Sequence, residues 1–213
     1  MTALVGRSRR RHRPAGRTAL GRRGWVAAVG LALVAGLAVS CAAGDRPGGT
    51  ADQPGTTVTA AGGGQTVRGT GYSFRLPTGW RDVTTEAKQN ITEKVDVAAT
   101  GPPAAGGTPH VVVAFDPSRG LALAEHLAAT RKEQAEVLED ARHLGRPRRL
   151  GLAGAPALVH EYTYVLNGRP SHGRQVVCLR DGRVLFLTFT AGQQTFATDR
   201  TALEQMLSSW SWG

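Results

Sequence analysis

Apolar and polar positions alternate along much of the second half of the chain, and turn residues punctuate the alternation. From Val67 to Leu76, the positions Tyr72, Phe74 and Leu76 alternate with Gly71, Ser73 and Arg75, which predicts one strand. Pro77-Thr78-Gly79 reads as a turn, and the polar residues 82–94 leave room for a short helix. Val95–Ala99 and His110–Phe115 are apolar, β-rich runs. The Gly/Pro segment TGPPAAGGTP between them predicts a long-loop hairpin. Asp116-Pro117 then offers an N-cap with proline at the first helical position. Ala124, Leu127, Ala128, Ala135, Leu138 and Ala141 recur at three- and four-residue steps, predicting a long helix over Gly120–Leu144. Gly145 supplies its stop, and Pro147 forbids continuation.

Pro156–Leu166 reads as a strand that ends on the Asn167-Gly168 turn. The sharpest local signal is VVCLR-DG-RVLFLTFT, because Asp181-Gly182 suits a two-residue turn with positive φ at both positions. That loop length sets Arg180 opposite Arg183, Leu179 opposite Val184, Cys178 opposite Leu185 and Val177 opposite Phe186. Both faces of the hairpin are then apolar, so the sheet must be covered on both sides. A final helix over about 196–209 covers one side with Phe196, Leu203, Met206, Leu207 and Trp210. The long helix covers the other. The predicted order is β–(α)–β–β–α–β–β–β–α around a mainly antiparallel sheet, an α+β, α/β/α sandwich.

The first part of the chain follows no such pattern. Residues 1–40 hold eight arginines and no acid, and Trp25–Val39 is an uncharged apolar run. As a helix that run is roughly 22 Å long, short of the roughly 30 Å bilayer core. A basic stretch, a short apolar run and small residues after it describe a secretory signal. The whole chain carries 26 Lys+Arg against 16 Asp+Glu, for a formal net charge of +10. Without the eight arginines, 18 basic residues face 16 acidic ones, so the basic excess belongs to the export segment. Nucleic acid is disfavoured as a partner by this location.

Ala38-Val39-Ser40-Cys41 resembles the cleavage site of bacterial lipoproteins. The resemblance implies cleavage between Ser40 and Cys41 and lipidation of the Cys41 sulfur. Arg22-Arg23-Gly24-Trp25-Val26 also resembles a twin-arginine signal, so the Sec and Tat routes both stay open. An uncut single-pass anchor is the alternative, and either reading places residues 42–213 outside the cytoplasm. With Cys41 lipidated, Cys178 is the second and last cysteine, so no disulfide staples the domain. Residues 42–66 hold seven glycines and two prolines with Val58 as the one large aliphatic. This is a tether, spanning roughly 25–30 Å root-mean-square. The organisation expected is a signal at 1–40, a lipidated cysteine and tether at 41–66, and one domain at 67–213.

The predicted order resembles the Mog1/PsbP-like fold, including small actinobacterial lipoproteins of the LpqN type. The resemblance rests on Tyr72-Ser73-Phe74-Arg75-Leu76-Pro77-Thr78-Gly79-Trp80, on Gly154-Ala155-Pro156-Ala157, on the Asp181-Gly182 hairpin and on Ser209-Trp210. Three lysines and a single isoleucine, Ile91, suit the GC-rich genome that this implies. Such a family is united by fold and not by an active site. It implies a binding or accessory protein, not an enzyme, and carries over no catalytic residue.

The residues agree. HExxH, Walker A, GxSxG, CxxC and dinucleotide glycine patterns are absent. His110, His126, His143, His160 and His172 are widely spaced, so no metal site and no cofactor are expected. Cys178, mid-strand among apolar neighbours, is expected to be a buried structural thiol. Arg142, His143, Arg146, Arg148 and Arg149 form the densest basic cluster of the domain. Two readings stand for it: cations complementing the end of the long helix, or contact with anionic headgroups or acidic wall polymer. The function expected is a membrane-anchored, non-catalytic envelope protein whose partner or ligand is unknown. The alternative is a small-molecule or lipid carrier with a pocket between sheet and helix.

Overall fold

Asp181-Gly182 does adopt positive φ twice, +50° and +70°, and it organises the centre of the domain. The computed structural model describes residues 64–90 and 94–213. The signal, Ser40, Cys41 and most of the tether lie outside the described residues. Strands β8 (Arg169–Arg180) and β9 (Arg183–Gly192) pair in the register that the turn length requires, Arg180 opposite Arg183 and Cys178 opposite Leu185. Asn167-Gly168 repeats the device between β7 (Ala155–Leu166) and β8, with φ of +49° and +73°. A third copy at Ala153-Gly154, φ +47° and +84°, joins β6 (Glu139–Leu152) to β7. Four long antiparallel strands therefore follow one another in space. β5 (His110–Pro117), β4 (Val95–Thr100) and β3 (Arg81–Asp82) extend the sheet to the order β3-β4-β5-β9-β8-β7-β6.

Both faces are covered, as the two-sided apolar pattern demands. One face meets a small sheet of β1 (Thr66–Gly69), β2 (Tyr72–Arg75) and β10 (Ser211–Trp212), together with helix α3 (Phe196–Ser208). The other face carries α1 (Thr84–Asn90) over β4 and β5, and α2 (Leu123–Val137) over Val177, Val184 and Phe186. The architecture is thus the expected α+β sandwich around a mainly antiparallel sheet. Among the described residues no helix is long and apolar enough to cross a membrane.

Four expectations change. The strand foreseen over 67–76 is a hairpin, broken at Thr70-Gly71 where Gly71 takes φ +80°. Asp116-Pro117 does not start the helix. β5 continues through Pro117, which stands opposite Arg183, and α2 begins at Leu123. There the Glu125 carboxylate accepts the Ala122 N–H at 2.7 Å, half of a capping box.

The long helix also stops at Val137 instead of Leu144. Residues 139–152 become β6 and pair with β7, so backbone pairing to an existing sheet overrides a moderate helix propensity. Gly145, foreseen as the helix stop, sits in a β6 bulge at φ +63°. The apolar stripe read for α2 is displaced as well. Ala124, Ala128 and Ala135 are exposed, and the buried face carries His126, Leu127, Thr130 and Gln134.

Candidate functional site

The side of the sheet that carries α1 and α2 has an end that neither helix covers. Thr100, His110 and Thr190 are cross-strand neighbours there on β4, β5 and β9, so their side chains line up on one face. With Ser171 of β8 they floor a groove of about 460 Å³. Its walls are the 101–109 loop, through Pro103, Ala104 and Gly106, and the β7–β8 turn, through Asn167 and Arg169. The loop is pinned by Gly101 N–H donating to the Pro109 carbonyl at 2.8 Å, and it touches the sheet at a glycine pair. A Cβ on Gly192 would meet the backbone of Gly106 at 2.5–2.7 Å, so only glycine lets the loop lie this close.

The floor is polar and only partly satisfied. The Tyr164 hydroxyl donates to Thr190 Oγ1 at 3.3 Å, and burial pushes that phenol up to about 12. The Thr190 hydroxyl proton stays available. The Thr100 hydroxyl is buried and has no hydrogen-bond partner. His110 Nδ1 lies 3.3 Å from the Thr108 carbonyl, which can only accept, so Nδ1 carries the proton and Nε2 keeps its lone pair. Burial depresses the His110 pKa below the ordinary 6.5. The unfolded chain therefore takes up a proton, as pH falls through 6.5, that the folded chain refuses. This part of the stability is complete above 6.5 and is lost as pH falls toward the lower folded value. Thermal denaturation from about pH 8 to about pH 5 is expected to show falling stability, with a shallower slope in His110→Asn. Equal slopes would remove His110 from the account.

The other singled-out residues do not join this groove. Arg142, Arg146, Arg148 and Arg149 are exposed along the edge strand β6, not at a helix end, so the dipole reading has no helix to act on. Register sets Arg142 and Arg148 toward the α3 side and Arg149 toward the α2 side, so the four do not converge. Arg148 reaches Glu161 at 3.7 Å. Glu161 also receives His172 Nε2 at 3.2 Å and Arg174 Nε at 3.7 Å. His172 stacks on Phe196 with ring centroids 3.4 Å apart, and Arg174 reaches Glu204 of α3 at 3.6 Å. This charged group clamps α3 to the sheet. Cys178 is fully buried in the core, and burial pushes its thiol up to about 11.

A second polar layer lies under α2, where the sequence suggested only apolar packing. His160, Gln175 and Thr188 are cross-strand neighbours. His160 Nε2 lies 3.0 Å from Gln175 Oε1, and Gln175 Nε2 donates to Thr188 Oγ1 at 3.0 Å. Gln134 of α2 reaches down to Gln175 Oε1 at 3.5 Å. Burial holds His160 down at about 4. The signal for this layer was present as His126, Thr130 and Gln134 at four-residue spacing. Among the described residues no three His, Cys, Asp and Glu side chains gather as a metal-binding group.

A seven-stranded antiparallel sheet, layered by helices on one side and by a helix and a small sheet on the other, defines an α+β domain of the Mog1/PsbP-like class. The chain belongs to the DcrB family, whose model matches residues 72–209. Cyanobacterial PsbP (CyanoP) from Synechocystis sp. PCC 6803 is similar in structure, with a TM-score of 0.53 and 16% identity over 76% of this chain and 98% of that one. LpqN of Mycobacterium tuberculosis, described as involved in cell envelope biogenesis, is similar with a TM-score of 0.50 and 16% identity, over 69% of this chain and 88% of that one. No curated protein matches the chain.

Proposed function

We propose that the chain is an exported envelope lipoprotein, held on the outer face of the cytoplasmic membrane by Cys41, whose domain binds a polar ligand or a polar partner segment without catalysis. The observation that carries the binding reading is the groove floored by Thr100, His110, Ser171 and Thr190. It exceeds the roughly 300 Å³ at which ligand clefts begin, and unpaired polar groups line it. Those groups favour a hydrogen-bonding ligand over an acyl chain. Little supports a lipid pocket between α2 and the sheet, because packed side chains fill that interface. The non-catalytic reading is supported by what surrounds the reactive side chains. Phe196 covers the ring of His172, two arginines engage Glu161, and Cys178 is buried. The envelope setting rests on the signal, and the description of LpqN agrees with it.

Gly192→Ala tests the groove. The added methyl collides with the Gly106 backbone and must push the 101–109 loop out of place. Wild-type and variant chains would be used side by side to capture ligands from envelope extracts, followed by mass spectrometry. A component retained by the wild type and lost from a folded Gly192→Ala chain is the expected result. Identical captures would sink the groove as the binding site.

A further inference from the structure

Three hydrogen-bond acceptors sit beneath the C-terminal half of α2 with nothing donating to them. His143 Nε2 lies 2.9 Å from the Arg131 carbonyl, so that nitrogen carries the proton and Nδ1 is a bare lone pair. With its NH₂ donating to Thr188 Oγ1, the Gln175 amide turns its Oε1 toward His160 Nε2 to accept that proton. His160 Nδ1 is therefore bare as well. Gln134 spends its NH₂ on Gln175 and leaves Oε1 free. All three atoms are buried and without a partner, and His160 and Gln134 are 4% and 3% exposed. Buried acceptors in this state need a proton donor, a water or a cation.

We propose that His143 Nδ1, His160 Nδ1 and Gln134 Oε1 bind a divalent transition-metal ion. Each histidine donates its other ring N–H to a carbonyl-type oxygen, the outer-shell bond that orients metal-ligating imidazoles. The ring centroids are 5.7 Å apart. Two imidazoles on one ion, with bonds of about 2.0–2.1 Å, place their centroids about 5–6 Å apart. Two nitrogens and a neutral oxygen suit copper(II) or zinc(II) and not calcium or magnesium.

Leu144 pairs with Glu161 and Arg148 with Val159, so β6 sets three residues, 145–147, against His160 alone. This bulge loosens the sheet edge beside His160, and the hollow of about 310 Å³ that opens there is lined mainly from the α3 side, by Leu144, Arg148, Val159 and Glu161. Arg148, paired to Glu161, lies across the sheet from the site, and Arg131 on α2 brings positive charge to it. This positive field weakens any cation. It selects ions that imidazole holds strongly and favours an anion in the fourth position.

The test uses the full chain in detergent, stripped with chelator and titrated with copper(II) or zinc(II) by calorimetry. One ion per chain is expected, with two imidazole nitrogens in the copper(II) paramagnetic resonance spectrum. His143→Ala, at a half-buried edge position, is expected to weaken binding more than about tenfold, and Gln134→Leu to weaken it with both nitrogens retained. His160→Gln, checked for folding by circular dichroism, is expected to behave like His143→Ala. His172→Gln is expected to leave binding unchanged. No stoichiometric binding, as a site holding only water gives, overturns the proposal. So does binding that survives His143→Ala, or a spectrum with fewer than two imidazole nitrogens.

Discussion

Trp210→Ala is expected to lower the unfolding free energy by about 3–5 kcal/mol, the range for removing a buried aromatic. The indole is 5% exposed. It lies nearly parallel to both rings of β2, with centroids 4.4 Å from Tyr72 and 5.2 Å from Phe74. Trp212 meets it edge-on at 5.4 Å and donates its own indole N–H to the Leu152 carbonyl at 2.9 Å. One side chain thus joins the N-terminal hairpin, the end of α3 and β10. Alanine leaves a void among rings that rigid backbones keep from closing, and it removes the stacking contribution as well. The measurement is denaturant unfolding of the variant, with a lower midpoint and an unchanged slope expected. A loss below about 1 kcal/mol would show that the aromatic ladder does not hold the small sheet in place.

The same residues explain how much of the fold was legible in advance. Tyr72, Phe74 and Trp210 marked the family resemblance because they form a single packed unit. Asp181-Gly182 and Asn167-Gly168 announced their hairpins because few residues tolerate positive φ at both positions. Ala153-Gly154 makes the same turn without announcing it, since alanine is no signal for a left-handed backbone. The helix over Gly120–Leu144 was overextended because Leu138 and Ala141 continue its period. What redirects them is the free edge of β7, which lies far away in sequence.

The candidate sites were less legible still. The groove forms only when β4, β5, β8 and β9 bring Thr100, His110, Ser171 and Thr190 together from distant stretches. None of them belongs to a motif. The layer under α2 had a visible trace in His126, Thr130 and Gln134. Counting apolar positions assigns the buried face to the alanines instead, because His126 and Gln134 find their partners outside the helix, at the Ser118 carbonyl and Gln175. The arginines of β6 looked like one cluster because strand alternation separates neighbours that a linear reading groups together.

Cys41→Ser is expected to abolish lipid incorporation altogether and to leave an unlipidated, uncleaved precursor, the largest functional effect foreseen for a single substitution. The reasoning is chemical. A thioether to a diacylglyceryl group needs the cysteine sulfur, and the serine hydroxyl is a far weaker nucleophile than a thiol. Anchoring is steeply nonlinear in the number of chains. Each buried CH₂ contributes about 0.8 kcal/mol, one acyl chain binds only reversibly, and two hold durably. Among residues 64–90 and 94–213 no helix is long and apolar enough to span a bilayer. The decisive measurement is labelling with a radioactive or clickable fatty acid, with fractionation of wild type and variant. Label in the wild type alone, with the variant retained as the uncleaved precursor, is the expected pattern. Equal labelling of both chains would reject Cys41 as the acceptor. Absence of label from both, with the chain still in the membrane fraction, would favour the uncut apolar run Trp25–Val39 as the anchor.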